Sequence, residues 1–330
     1  MKHSPVTLHN LTTGYHGKGD ETITITSGID ASLPAGCMTA LLGPNGAGKS
    51  TLIKTISGNL PPLGGSLEIM GKEITDYTPA RLSRELSVVL TERFESTHLT
   101  VRDLVGLGRS PYTGFFGRLS ESDHATVDRA ISLVGIGSLA SRTVSTLSDG
   151  ERQKAMIARA LAQQTPVIFL DEPTAFLDYP GKVDIMMVLR RLCREEGKSV
   201  LLSTHDLELA LLLADRLWLL NRTDGLIAGT PEDLILDGRI EQYFSGRNLR
   251  FDHSTASFKV DFDVIGNLSV EGSGARAAMV RRALSREGFT TTPAGAHPDI
   301  VINDEAYIFR GKTYASIESL VSAVRESGSR

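Results

Sequence analysis

Long apolar runs are missing from this 330-residue chain. Its most hydrophobic stretch, Leu207 to Leu220, is broken by Glu208, Asp215 and Arg216, so nothing reads as a membrane-spanning helix. Cysteine is scarce. Cys37 and Cys193 lie far apart in the sequence and fit no metal-ligand spacing, which leaves two reduced thiols of a cytosolic protein as the plain reading. Charge of one sign is also lacking. A net charge of −4 gives no general attraction to nucleic acid or anionic lipid. The start, Met1-Lys2-His3-Ser4-Pro5, opens no signal peptide. Any membrane role must therefore come through a partner. The 41% hydrophobic and 22% charged content is that of a soluble globular protein with one large or two ordinary domains.

What is present centres on Gly43-Pro44-Asn45-Gly46-Ala47-Gly48-Lys49-Ser50-Thr51. It fits G-x-x-x-x-G-K-[ST], the phosphate-binding loop. An apolar run, Met38 to Leu42, leads in as a buried strand, and a helical pattern from Leu52 leads out. Glycines let successive N–H groups point at phosphate oxygens, and the helix N-terminus adds partial positive charge. Lys49 supplies a full charge, and the Ser50 hydroxyl is placed to hold Mg²⁺. The expectation is a nucleoside triphosphate site.

Along the chain, Val6 to Leu11 alternates as a strand, with a turn expected at Thr12-Thr13-Gly14-Tyr15. Tyr15 is either an ordinary surface tyrosine or a ring able to stack on a base. Thr22 to Ile29 and Cys37 to Leu42 read as strands. Leu86 to Leu90 is another, and residues 100–164 are mostly helical by period, an insertion in an α/β core. Thr100 with Asp103, and Ser148 with Glu151, form capping boxes. Val167-Ile168-Phe169-Leu170 is a buried strand ending in Asp171-Glu172. Paired acids at a strand's C-terminal end suit a metal contact and a general base. Ser199 to Ser203 is a further buried strand, and His205 follows it. That histidine is either structural or a hydrogen-bonding partner for a terminal phosphate. Pro231 to Phe244 reads as one closing amphipathic helix.

Tyr15, Gly43–Thr51, Leu147–Lys154, Val167–Pro173, Ala175–Asp178 and His205, in that order over about residues 5–247, resemble the ATP-binding subunit of ABC transporters. Leu99 to Pro111, with Asp103-Leu104-Val105 and Gly108-Arg109-Ser110-Pro111, resembles the branch importing iron chelates, haem and vitamin B12. The resemblance implies an α/β P-loop NTPase cassette over residues 1–248, with a helical subdomain at about 95–165. It implies that Tyr15 stacks on adenine and that Asp171 joins the Mg²⁺ shell, partly through water. Glu172 would polarise the attacking water, and His205 would contact the γ-phosphate. Ser148 and Gly150 would close over the γ-phosphate of an opposite subunit in a head-to-tail homodimer holding two ATP, and Asp178 would lie on the loop linking the two sites. Integral-membrane permease subunits would be the direct partners and a substrate-binding protein an indirect one, with no nucleic acid. The location would be the cytoplasmic face of the inner or plasma membrane.

Two positions depart from the family pattern. Thr91, followed by Glu92, stands where Gln is usual, and its shorter side chain would need a water bridge, or Glu92, to reach the metal. Asp149 stands where a second Gly is usual, and a carboxylate there must point away from phosphate or pair with a base such as Arg152. Residues 249–330 read as an accessory α/β domain of β-β-α-β-β-α order, serving regulation, dimer contact or passive packing. The rival functions are a soluble ABC-type ATPase acting on nucleic acid or ribosomes, and a regulatory ATP-binding module. The first rival typically carries two cassettes or long coiled-coil insertions, and neither is seen in the sequence.

Overall fold

The computed structural model describes residues 4–17, 21–90, 98–114, 117–222, 225–244, 249–252, 257–293, 295, 297–303 and 305–328. The chain divides into two compact units, 1–244 and 245–330.

In the first unit, β1 (Val6–His16) and β2 (Thr22–Leu33) form an antiparallel ribbon. Then follow β3 (Met38–Leu42), α1 (Lys49–Ile56), β4 (Gly64–Ile69), β5 (Lys72–Glu73), α2 (Pro79–Glu85) and β6 (Leu86–Val89). The helical segment holds α3 (Val101–Gly106), a 3₁₀ stretch over Leu107–Tyr112, α4 (Glu121–Leu133) and α5 (Asp149–Ala162). After it come β7 (Val167–Leu170), α6 (Tyr179–Glu196), β8 (Ser199–Ser203), α7 (Leu207–Leu213), β9 (Arg216–Asn221), β10 (Gly225–Gly229), α8 (Pro231–Leu236) and α9 (Arg239–Phe244).

Six strands form the central sheet in the order β10-β9-β3-β8-β7-β6, parallel except for β10. Side chains alternate across it, as a period-2 strand requires. Met38, Ile168, Leu170, Val200 and Leu202 enter a core shared with α3–α6. Leu41, Val167, Phe169 and Leu201 enter the opposite core, shared with α1 and the smaller β2-β1-β4-β5 sheet. Burial on both faces is why these strands are continuous apolar runs.

Two expectations for this unit are corrected. The turn at Thr12–Tyr15 is absent, because β1 runs on to His16 through register shifts near Leu11 and Thr13. Thr13 and Thr26 bury their hydroxyls by bonding each other at 2.7 Å. Residues 231–244 make two short helices, with Gly238 between them in the left-handed region at φ 69°.

The second unit opens with β11 (Leu249–Asp252) paired antiparallel to β12 (Ser257–Val260). A five-stranded sheet follows, built from β13 (Gly266–Glu271), β14 (Phe289–Pro293), β15 (Ile300–Ile302), β16 (Tyr307–Phe309) and β17 (Lys312–Tyr314) in the order β14-β13-β15-β16-β17. Helices α10 (Gly274–Arg286) and α11 (Ile317–Gly328) help bury its core around Leu268, Val280, Ile300 and Leu320. The β-β-α-β-β-α order therefore needs correction: β11, β14 and β17 are extra strands.

Candidate functional site

Four parallel strands end at one edge of the central sheet, and each delivers a part of the site. The loop 43–48 follows β3, Asp171 and Glu172 follow β7, His205 follows β8, and Arg222 follows β9. That is where open α/β sheets bind ligands. A cavity of about 250 Å³ is lined there by Ile25, Asn45, Gly46, Gly48, Lys49, Ser50, Thr51, Glu172, His205 and Arg222.

The loop's shape depends on close approach. Gly48 sits at φ 103°, and a Cβ on it would lie 2.7 Å from Ile25 Cγ2. A Cβ on Gly43 would lie 2.3 Å from the Leu220 carbonyl oxygen of β9. Ala47 N–H donates to the Pro44 carbonyl at 3.2 Å and closes the turn. Lys49 is buried, and its Nζ donates to the Gly43 carbonyl at 2.8 Å and the Pro44 carbonyl at 3.3 Å. Burial lowers its pKa, and the carboxylates of Glu172 and Asp171 oppose that shift. No side chain caps α1, so its first-turn N–H groups and dipole face the cavity as an anion site.

Asp171 is buried and anchored from two sides. Its N–H donates to the Val89 carbonyl at 2.7 Å, and its Oδ1 accepts from Ser203 Oγ at 2.6 Å. Glu172 turns the chain at φ 51°, a left-handed conformation that costs an L-residue energy. Its N–H donates to Ser203 Oγ at 2.9 Å, and its Oε1 lies 2.5 Å from His205 Nε2. An acid, a histidine and a lysine thus line one cavity beside the N-terminus of α1. Ser50 Oγ and the Asp171 carboxylate are hard oxygen donors of the kind Mg²⁺ takes, and Ser50 is exposed on the cavity wall.

Other expected residues lie elsewhere. Tyr15 is 40% exposed, and its hydroxyl pairs with Thr51 Oγ1 at 3.1 Å. The ring is not among the cavity-lining residues, whereas Ile25 is. Ser148 caps α5 in a full capping box with Glu151. Gly150 packs under the following loop, where a Cβ would meet Leu177 Cδ2 and the Phe176 carbonyl oxygen at 3.2 Å. Asp149 pairs with Arg152 at 3.5 Å. Asp178 caps α6, accepting from Gly181 N–H at 3.0 Å. Thr91 and Glu92 lie outside the described residues. Sequence reasoning missed Ser203, Ile25 and Arg222. Arg222 donates from Nε to the Gly46 carbonyl at 2.7 Å, a contact visible only once β9 is placed beside β3.

A family model for the ABC transporter matches residues 26–175, spanning the loop and both acids. Among curated proteins, an uncharacterized ABC transporter ATP-binding protein of Methanocaldococcus jannaschii is 37% identical over 82% of this chain and 93% of its own length. The chain belongs to the ABC transporter family. A second model, for the iron ABC transporter C-terminal domain, matches residues 266–325. The ferric enterobactin transport ATP-binding protein of Escherichia coli is 35% identical over 74% of this chain and 89% of its own. The achromobactin transport ATP-binding protein of Dickeya dadantii is 36% identical over 73% and 87%. Among solved structures, a dimeric bacterial ABC transporter cassette superposes with a TM-score of 0.62 at 26% identity, covering 68% of this chain and 98% of its own. A post-hydrolysis cassette bound to ADP and Pi superposes with a TM-score of 0.61 at 27% identity over the same shares. The family is one of ATP-binding, ATP-hydrolysing subunits.

Proposed function

We propose that this chain energises an importer, its substrate an iron–siderophore chelate, haem or cobalamin. The observation that carries the reading is a cavity joining Lys49, Glu172 and His205, in one chain with a C-terminal unit that matches the iron ABC transporter C-terminal domain.

Within the site, the loop N–H groups and Lys49 hold the β- and γ-phosphates of ATP. Ser50 and Asp171 would hold Mg²⁺, which when bound neutralises charge on the phosphate oxygens. Glu172 orients a water for in-line attack on the γ-phosphorus and takes its proton, releasing phosphate and ADP. His205 fixes Glu172 from one side and offers its ring to the γ-phosphate. Two copies pack head to tail, so that Ser148 and Gly150 of each close over the ATP of the other. Supporting this face, Phe176 and Tyr179 beside Asp178 are 70% and 59% exposed, as aromatic side chains of a contact loop would be.

Transport requires a membrane partner, because no helix among the described residues is long and apolar enough to cross a membrane. A larger groove of about 640 Å³, away from the phosphates, is lined by Asn59, Tyr77, Leu82, Leu86, Met156 and Gln163. It is the place for a permease to dock, at the cytoplasmic face of the membrane. A substrate-binding protein would engage only the permease. The test is co-expression with a candidate permease, followed by ATP-driven uptake of ferric siderophore into vesicles. Co-purification and uptake support the reading. A stable soluble particle whose ATPase ignores the permease refutes it.

A further inference from the structure

One buried hydroxyl touches both acids. Ser203 is the last residue of β8 and is fully buried. Parallel register pairs Leu170 with Leu202, which sets Ser203 beside Asp171. Its Oγ donates to Asp171 Oδ1 at 2.6 Å and accepts the Glu172 N–H at 2.9 Å. A hydroxyl has one proton, so these two bonds fix its sense: the proton goes to the carboxylate and a lone pair to the amide. Asp171 is 3% exposed, so water does not readily replace the bond. The Glu172 amide belongs to the strained residue at φ 51°, and its acceptor helps hold that turn.

We propose that Ser203 is a positioning residue for hydrolysis, its hydroxyl holding the Asp171 carboxylate and the Glu172 backbone in one fixed relation. The inference rests on the roles proposed above for Asp171 and Glu172. Ser203 itself touches neither water nor phosphate in this scheme. It acts by presenting the metal-contacting acid and the water-activating acid together. Two residues further on, His205 holds the Glu172 side chain, so a single strand end sets both the backbone and the carboxylate of that residue.

The competing role is packing, in which only the shape of the side chain counts. Ser203→Thr and Ser203→Val separate the two, because Thr and Val share a shape and differ by the hydroxyl. In the full chain, Ser203→Val is expected to lower kcat by ~10- to 100-fold, the worth of a charge-assisted hydrogen bond. KM for ATP should stay within ~3-fold, since the phosphate loop is untouched. Binding of a fluorescent ATP analogue, followed without turnover, should need more Mg²⁺ in the Val variant than in the Thr variant. Ser203→Thr should recover most of kcat. Equal kcat in the two variants, or a Val defect confined to KM, overturns the inference. Asp171→Asn and Glu172→Gln serve as controls. Full turnover in either overturns the underlying site reading and this inference with it. Loss of turnover in both, with Val equal to Thr, overturns the role of Ser203 alone.

Discussion

Glu172 carries two burdens that substitution can separate. Its side chain is assigned to the attacking water, and its backbone sits at φ 51°. Replacing it with Gln keeps the shape and removes the basicity. Turnover should fall by ~10²- to 10⁴-fold, the usual worth of a general base, which is about 3–5 kcal/mol of barrier. ATP-dependent dimerisation should survive. Glu172→Gly and Glu172→Ala then read the backbone. Gly relieves about 1–2 kcal/mol of left-handed strain and gives back roughly 0.5–1 kcal/mol through the more flexible unfolded chain. Both variants lose the His205 contact, a half-exposed pair worth about 0.2–1 kcal/mol, so that loss cancels between them. Gly should therefore exceed Ala in stability by ~0–1.5 kcal/mol, up to roughly 3–6 °C in Tm for a unit of this size, while neither hydrolyses ATP. Thermal melts beside a phosphate-release assay suffice. An Ala variant more stable than the Gly variant would mean that the left-handed turn is absent in solution. Near-normal hydrolysis by Glu172→Gln would remove the residue from the base role.

Gly48→Ala should cost at least about tenfold in ATP affinity, because the loop must shift to relieve a Cβ 2.7 Å from Ile25 Cγ2 at φ 103°; titration with a fluorescent analogue would show it, and wild-type affinity would contradict it. Asp123 is held at a pKa of about 2 by hydrogen bonds from Ser120 and then from Arg109. A depressed folded pKa means its contribution to stability is full above about pH 4 and is lost as pH falls through about 2; Asp123→Asn should flatten that acid limb, and an unchanged limb would refute the assignment. Burial pushes the Cys193 thiol up to about 12, so in the native protein it should resist maleimide at pH 8 far longer than half-buried Cys37; equal labelling by mass spectrometry would contradict the packing of α6.

Val167–Leu170 and Ser199–Ser203 were legible as strands because both faces are buried, so apolar residues run unbroken into the polar ligand end. The capping boxes at Thr100 and Ser148 were equally plain, since Asp103 and Glu151 each stand three residues on. Elsewhere polar composition misled. Thr12-Thr13-Gly14 looks like a turn until Thr26 is seen to satisfy Thr13 across the ribbon. The polar run Thr290-Thr291-Thr292-Pro293, given no strand in the sequence, is an edge strand, where proline is tolerated. Ser203 and Arg222 were invisible for another reason. Nothing in their own neighbourhoods marks them, and their partners, Asp171 and Gly46, are brought near only by strand order.

That strand order also has a bearing on biosynthesis. β3 leads into the phosphate loop early in the chain, yet its sheet neighbours are β8 and β9, with Met38 paired to Val200 roughly 160 residues later. At about 5–20 residues per second, translation takes roughly 10–30 s to supply them. Until then the loop has no floor, and neither His205 nor Arg222 has been made. A nascent or prematurely ended chain carries the complete phosphate-loop sequence without a place to close it around ATP. The topology therefore withholds ATP hydrolysis until nearly the whole cassette exists.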